Sequence, residues 1–73
     1  MTLNQLARGR SATILSVNAD RELKNRFTSF GLVKGATVLS EASTLARNTI
    51  EVRIKNTKVA LRSSEAEKIV ISE

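Results

Sequence analysis

The groups that carry most enzyme and metal chemistry are missing from this chain. It has no histidine and no cysteine, so the commonest general base, the strongest nucleophile and every imidazole or thiolate metal ligand are absent. Seven carboxylates, twelve lysines and arginines and a scatter of hydroxyls remain. Carboxylates work as an acid–base pair or a hard-cation cage only when several converge on one inward face. Here they are dispersed. Glu51 has the outward parity of its stretch, and Glu65 and Glu67 sit where a carboxylate stabilises the start of a helical turn. No catalytic residue, cofactor site or metal site is assigned, and the chain reads as a non-enzyme. Gly9, Gly31 and Gly35 match neither GxGxxG nor GxxxxGK spacing, so each reads as a turn or a cap rather than a phosphate loop.

The basic residues could bind an acidic partner. Arg53 and Lys55 alternate on one strand face, with Lys58 and Arg62 on the next strand, and the net charge is +5. Single-stranded nucleic acid is held on aromatic platforms as well as cations. The two phenylalanines, Phe27 and Phe30, fall on one helix instead. Nucleic acid is therefore the disfavoured partner. A charge of this size also serves solubility alone.

The elements that position these residues follow from periodicity. Leu23, Phe27 and Phe30 recur at i, i+4 and i+7, one face of a helix running from Asp20 to Phe30. Asp20 is a strong N-cap. Gly31 supplies the left-handed residue that ends such a helix, and Leu32 folds back onto its last turn. Before the helix, Leu3 and Leu6 suit one helical turn. Ser11 to Val17 then makes a strand with Ala12 and Ile14 inward, and a bulge near Ser16 returns Val17 to the core. After Gly35, strands are expected over Ala36–Ala42, Thr49–Lys55, Lys58–Arg62 and Ile69–Ile71. In the third strand Ile50, Val52 and Ile54 alternate strictly with Glu51, Arg53 and Lys55. Ser43–Asn48, with Leu45 and Arg47, is a loop. Asn56-Thr57 is a tight reversal with Asn at positive φ, and Ser64 with Glu67 has capping-box spacing. The 73 residues make one domain, mainly β: about five strands, one α-helix inserted after the first and a short helical turn before the last. Five short strands without proline favour a small closed barrel, which protects its own edges. No apolar run reaches the ~20 residues of a membrane span, and no secretory h-region opens the chain. Direct membrane insertion is not expected, and the protein should be cytoplasmic.

In their order and spacing these residues resemble the FeoA family. Leu3, Leu6 and Gly9, then Ala12 and Ile14, then Phe27-Thr-Ser-Phe30-Gly31-Leu32 with Gly35 carry the likeness. Val59-Ala60-Leu61-Arg62, Glu65-Ala66 and Ile69-Val70-Ile71 are similar to the family's closing motif. The chain departs from the family in having Lys34 before the second glycine, where proline is usual. Ser43–Asn48 also stands where Gly and Pro are common. The resemblance implies an SH3-like barrel that supports ferrous iron transport, a transition-metal role, through the membrane transporter FeoB, by docking on its cytosolic part. On that reading Lys24, Arg26, Ser29, Val33 and Lys34 face the partner. Leu23, Phe27, Phe30, Gly31, Leu32 and Gly35 hold the corner in shape. The alternatives are a regulatory or nucleic-acid-binding domain using the cationic face, and a homo-oligomer pairing through strand edges or the apolar helix corner.

Overall fold

The computed structural model describes residues 1–44 and 48–73. Its elements are a 3₁₀ turn (Leu3–Gln5), β1 (Ser11–Val17), α1 (Arg21–Ser29), β2 (Thr37–Thr44), β3 (Thr49–Ile54), β4 (Thr57–Arg62), α2 (Ser63–Ala66) and β5 (Ile69–Ser72). The strands form one antiparallel sheet in the order β4-β3-β2-β1-β5. The sheet curls around a core of Leu3, Ile14, Phe27, Leu32, Val38, Val52, Leu61 and Ile69, each 2 % exposed or less. Period-two alternation builds that core. Ile50, Val52 and Ile54 of β3 and Val59 and Leu61 of β4 all point inward. Leu3 and Leu6 are buried with the core. α1 lays Phe27 into the barrel, with Leu23 and Phe30 half-buried beside it.

The β1 bulge falls between Ile14 and Ser16, and Val17 packs back against the core as its parity requires. Several boundaries differ from the sequence reading. β2 runs on to Thr44, because Ser43 and Thr44 pair with Ile50 and Thr49, so the loop is shorter than Ser43–Asn48. Leu45 and Arg47 lie outside the described residues. β3 stops at Ile54, which pairs with Thr57 across a two-residue loop, Lys55-Asn56. The positive φ, 56°, therefore falls on Lys55 and not on Asn56. Strand register, which residue type cannot reveal, decided that placement. The capping carboxylate of α2 is Glu65 rather than Glu67, and it accepts the Arg62 backbone N–H at 3.1 Å. The two end strands of the sheet do not pair with each other; α2 links them, with Ala66 fully buried beneath. At the far end, Ile71 N–H donates to the Met1 carbonyl at 2.8 Å, and Thr2 bridges Val70.

Candidate protein-docking surface

The corner between α1 and β2 is built almost wholly from backbone hydrogen bonds. Asp20 caps the start of α1, its carboxylate accepting the Leu23 N–H at 2.8 Å. At the exit the Leu32 N–H reaches the Phe27 carbonyl (2.8 Å) and the Gly31 N–H reaches that of Thr28 (3.0 Å). With Gly31 at φ +86° this is a Schellman ending, and it drives Leu32 to 1 % exposure against the last turn. The Ala36 N–H then bonds the Val33 carbonyl at 3.0 Å across Lys34 and Gly35. Gly35 has φ +91°. A four-residue turn with positive φ at its third position alone is type II. Ile14 of β1 ties the turn down: its carbonyl accepts the Gly35 N–H (2.8 Å) and its N–H donates to Ala36 (2.9 Å).

The fixed corner leaves Val33 and Lys34 projecting into solvent, Val33 being 40 % exposed. Two hollows flank them. One, about 1080 Å³, separates the corner from the β3–β4 turn and is lined by Ser29, Phe30, Val33, Lys34, Leu39, Arg53, Ile54 and Lys55, among others. The other, about 230 Å³, lies toward β1, with Val17, Lys24, Thr28, Leu32, Val33 and Lys34 around it. Lys24, Ser29, Val33 and Lys34 thus gather around one ridge. Arg26 stands apart, its guanidinium 3.1 Å from the Glu65 carboxylate, where it fastens α1 to α2. Among the corner's supports, Phe27 and Leu32 are buried, while Leu23 and Phe30 pack at the core's margin.

The opposite wall of the larger hollow, Leu39, Arg53, Ile54 and Lys55, comes from strands distant in sequence and was not legible before the register was known. Its charges divide. The Arg53 Nε donates to the Glu41 carboxylate at 2.5 Å. That hydrogen bond, with the attraction of the guanidinium, holds the Glu41 carboxyl below the usual carboxylate value. The Lys58 ammonium is 3.9 Å from the Glu51 carboxylate. Lys34 and Lys55 form no ion pair among the described residues. The cationic face read from Arg53, Lys55, Lys58 and Arg62 is thus partly neutralised on the protein itself. Among the described residues no three acidic side chains converge, and no helix is long and apolar enough to cross a membrane. The lining of the larger hollow mixes apolar side chains (Phe30, Val33, Leu39, Ile54), hydroxyls (Thr28, Ser29, Thr37, Thr57) and the basic side chains of Lys34, Arg53 and Lys55.

The strand order with a helix inserted after β1 defines a five-stranded, SH3-like fold. The family described as "FeoA domain" matches residues 1–73, and the chain belongs to the FeoA family. It is 43 % identical over 72 residues to the "Putative Fe(2+) transport protein A" of Campylobacter jejuni, covering 99 % of this chain and 97 % of that protein. Zinc-complexed FeoA of Stenotrophomonas maltophilia, described as a prokaryotic SH3 domain protein, superposes with a TM-score of 0.85 at 33 % identity, over 99 % of this chain and 89 % of the other. FeoA of Chlorobium tepidum gives 0.90 at 31 % identity, over 97 % and 68 %. The chain is therefore a member of an accessory iron-transport family, with that family's mainly β fold.

Proposed function

We propose that this protein is a non-catalytic cytoplasmic partner of the FeoB ferrous iron transporter, docking on the transporter's cytosolic part and modulating its assembly or activity. Family membership supplies the transport context. The observation that carries the docking surface is the corner itself, where hydrogen bonds on both sides of Leu32 hold Val33 and Lys34 out into solvent. A backbone already fixed by hydrogen bonds need not be ordered on binding, which lowers the cost of association. Lys24 and Ser29 widen the same surface, and Arg26, paired with Glu65, lies outside both hollows. Leu23, Phe27, Phe30, Gly31, Leu32 and Gly35 keep its shape.

Co-purification with the cytosolic portion of FeoB tests this. Val33→Asp places a charge in the apolar part of the ridge without touching the core, and Lys34→Glu reverses the charge beside it. Each should leave thermal unfolding unchanged and weaken capture by about tenfold or more, the ~1.4 kcal/mol or more of a central interface residue. Undiminished capture by both variants would move the docking surface elsewhere.

A further inference from the structure

The two ends of the sheet are treated differently. β5 is overlaid by the N-terminal residues, Thr2 bridging Val70 and Met1 accepting from Ile71. β4, at the other end, has β3 on one side and, among the described residues, no strand on the other. In a two-residue hairpin the residues flanking the loop form the first hydrogen-bonded pair, and such pairs then alternate. Ile54/Thr57, Val52/Val59 and Ile50/Leu61 are therefore the bonded pairs. Lys58, Ala60 and Arg62 turn their backbone groups away from β3. Arg62 shows this directly, because its N–H is met by the Glu65 carboxylate at 3.1 Å. Among the described residues nothing comparable meets Lys58 or Ala60. The side chains of Lys58, Ala60 and Arg62 are exposed, while Val59 and Leu61 point into the core.

Charge selects what could fill this edge. A second copy pairing antiparallel about Ala60 would set Lys58 directly opposite the other copy's Arg62, a like-charge arrangement that destabilises a sheet. Sliding the copies by one pleat leaves the two Lys58 side chains as diagonal neighbours. Lys58 already lies opposite Arg53 on β3; Arg53 is paired with Glu41, and Lys58 reaches the Glu51 carboxylate only at 3.9 Å. We infer that β4 is a receptor edge for an extended segment of another protein, added as a sixth strand with acidic residues at i and i+4 opposite Lys58 and Arg62. The main-chain groups of Lys58 and Ala60 supply the ladder and the two cations supply the selection, the division of labour of strand addition. The same cations keep copies of this chain apart. This surface is separate from the Gly31–Gly35 corner and does not depend on docking there.

Titration of the isotope-labelled protein with the peptide Thr-Glu-Val-Thr-Val-Glu-Thr, followed by NMR, tests the inference. Saturable shifts and slowed amide exchange are expected at Lys58 and Ala60, and Thr-Lys-Val-Thr-Val-Lys-Thr should leave both unchanged. Ala60→Pro removes an outward N–H without touching the β3 ladder, a position where an edge strand tolerates proline, and should weaken binding at least about tenfold. Lys58→Glu with Arg62→Glu alters only exposed side chains and should reverse the preference between the peptides. The proposal is overturned by equal response to both peptides, by shifts confined to the corner, or by no response at about 1 mM acidic peptide. Protection of Lys58 and Ala60 that grows with protein concentration alone would make a second copy the occupant and overturn it equally.

Discussion

Phe27 and Glu41 show how differently single residues hold this fold. Phe27 is completely buried and reaches the core from the helix, so no neighbour can replace its volume. Phe27→Ala should cost about 3–5 kcal/mol. A domain of this size has roughly that much to lose, so denaturant titration should find the variant largely unfolded. Glu41 acts at the surface, where Arg53 holds its carboxyl below the ordinary value of 4.5. A depressed folded-state pKa adds stability that is present above the unfolded value and disappears as pH falls through the folded one. The thermal midpoint should therefore fall on acidification below pH 4.5, and Glu41→Gln should flatten that part of the profile. Phe27 was visible in the sequence through its spacing from Leu23 and Phe30. The Glu41–Arg53 pair was not, since it needs a bulge between Ser40 and Ala42 to aim the carboxylate.

At the scale of elements, the corner gives position 34, here a lysine, the backbone geometry that proline would favour. Lys34 is the second residue of a type II turn whose third is Gly35 at φ +91°, and that second position is where proline is favoured. Its N–H carries no hydrogen bond among the described residues. Lys34→Pro should then stabilise the protein by about 0.4–1 kcal/mol, chiefly by restricting the unfolded chain, as thermal or denaturant unfolding would report. The variant also separates two roles of the position, because it stiffens the turn while removing the basic side chain. The start and stop of α1 were legible because Asp20 and Gly31 act on their own neighbours. The β3–β4 reversal falls one residue earlier than the turn preference of Asn56 predicts, because the pairing of Ile54 with Thr57 holds Lys55 in an unfavoured conformation. Tertiary pairing outweighed the turn preference of Asn56 there.

For the whole molecule, charge placement matters more than charge count. The +5 net charge suggests an appetite for polyanions, yet Arg53 and Lys58 already face Glu41 and Glu51. Generic duplex DNA should be held no tighter than the ~10⁻⁴–10⁻⁶ M of non-specific phosphate contact at physiological salt, and the binding should fade as salt is raised. Salt-resistant binding in a filter or anisotropy assay would instead support the nucleic-acid alternative. The sequence by itself determined the mainly β order of elements, the helix inserted after β1 and the inward residues of β1, β3 and β4, which follow from local periodicity and capping; the likeness to the FeoA family rests instead on the order of its motifs. Only the tertiary structure decided which strand ends the sheet uncovered, that Arg26 is spent on Glu65, and that Val33 and Lys34 form a ridge between two hollows. Those outcomes depend on register and on contacts between residues far apart in the chain, where a shift of one position moves every side chain to the opposite face.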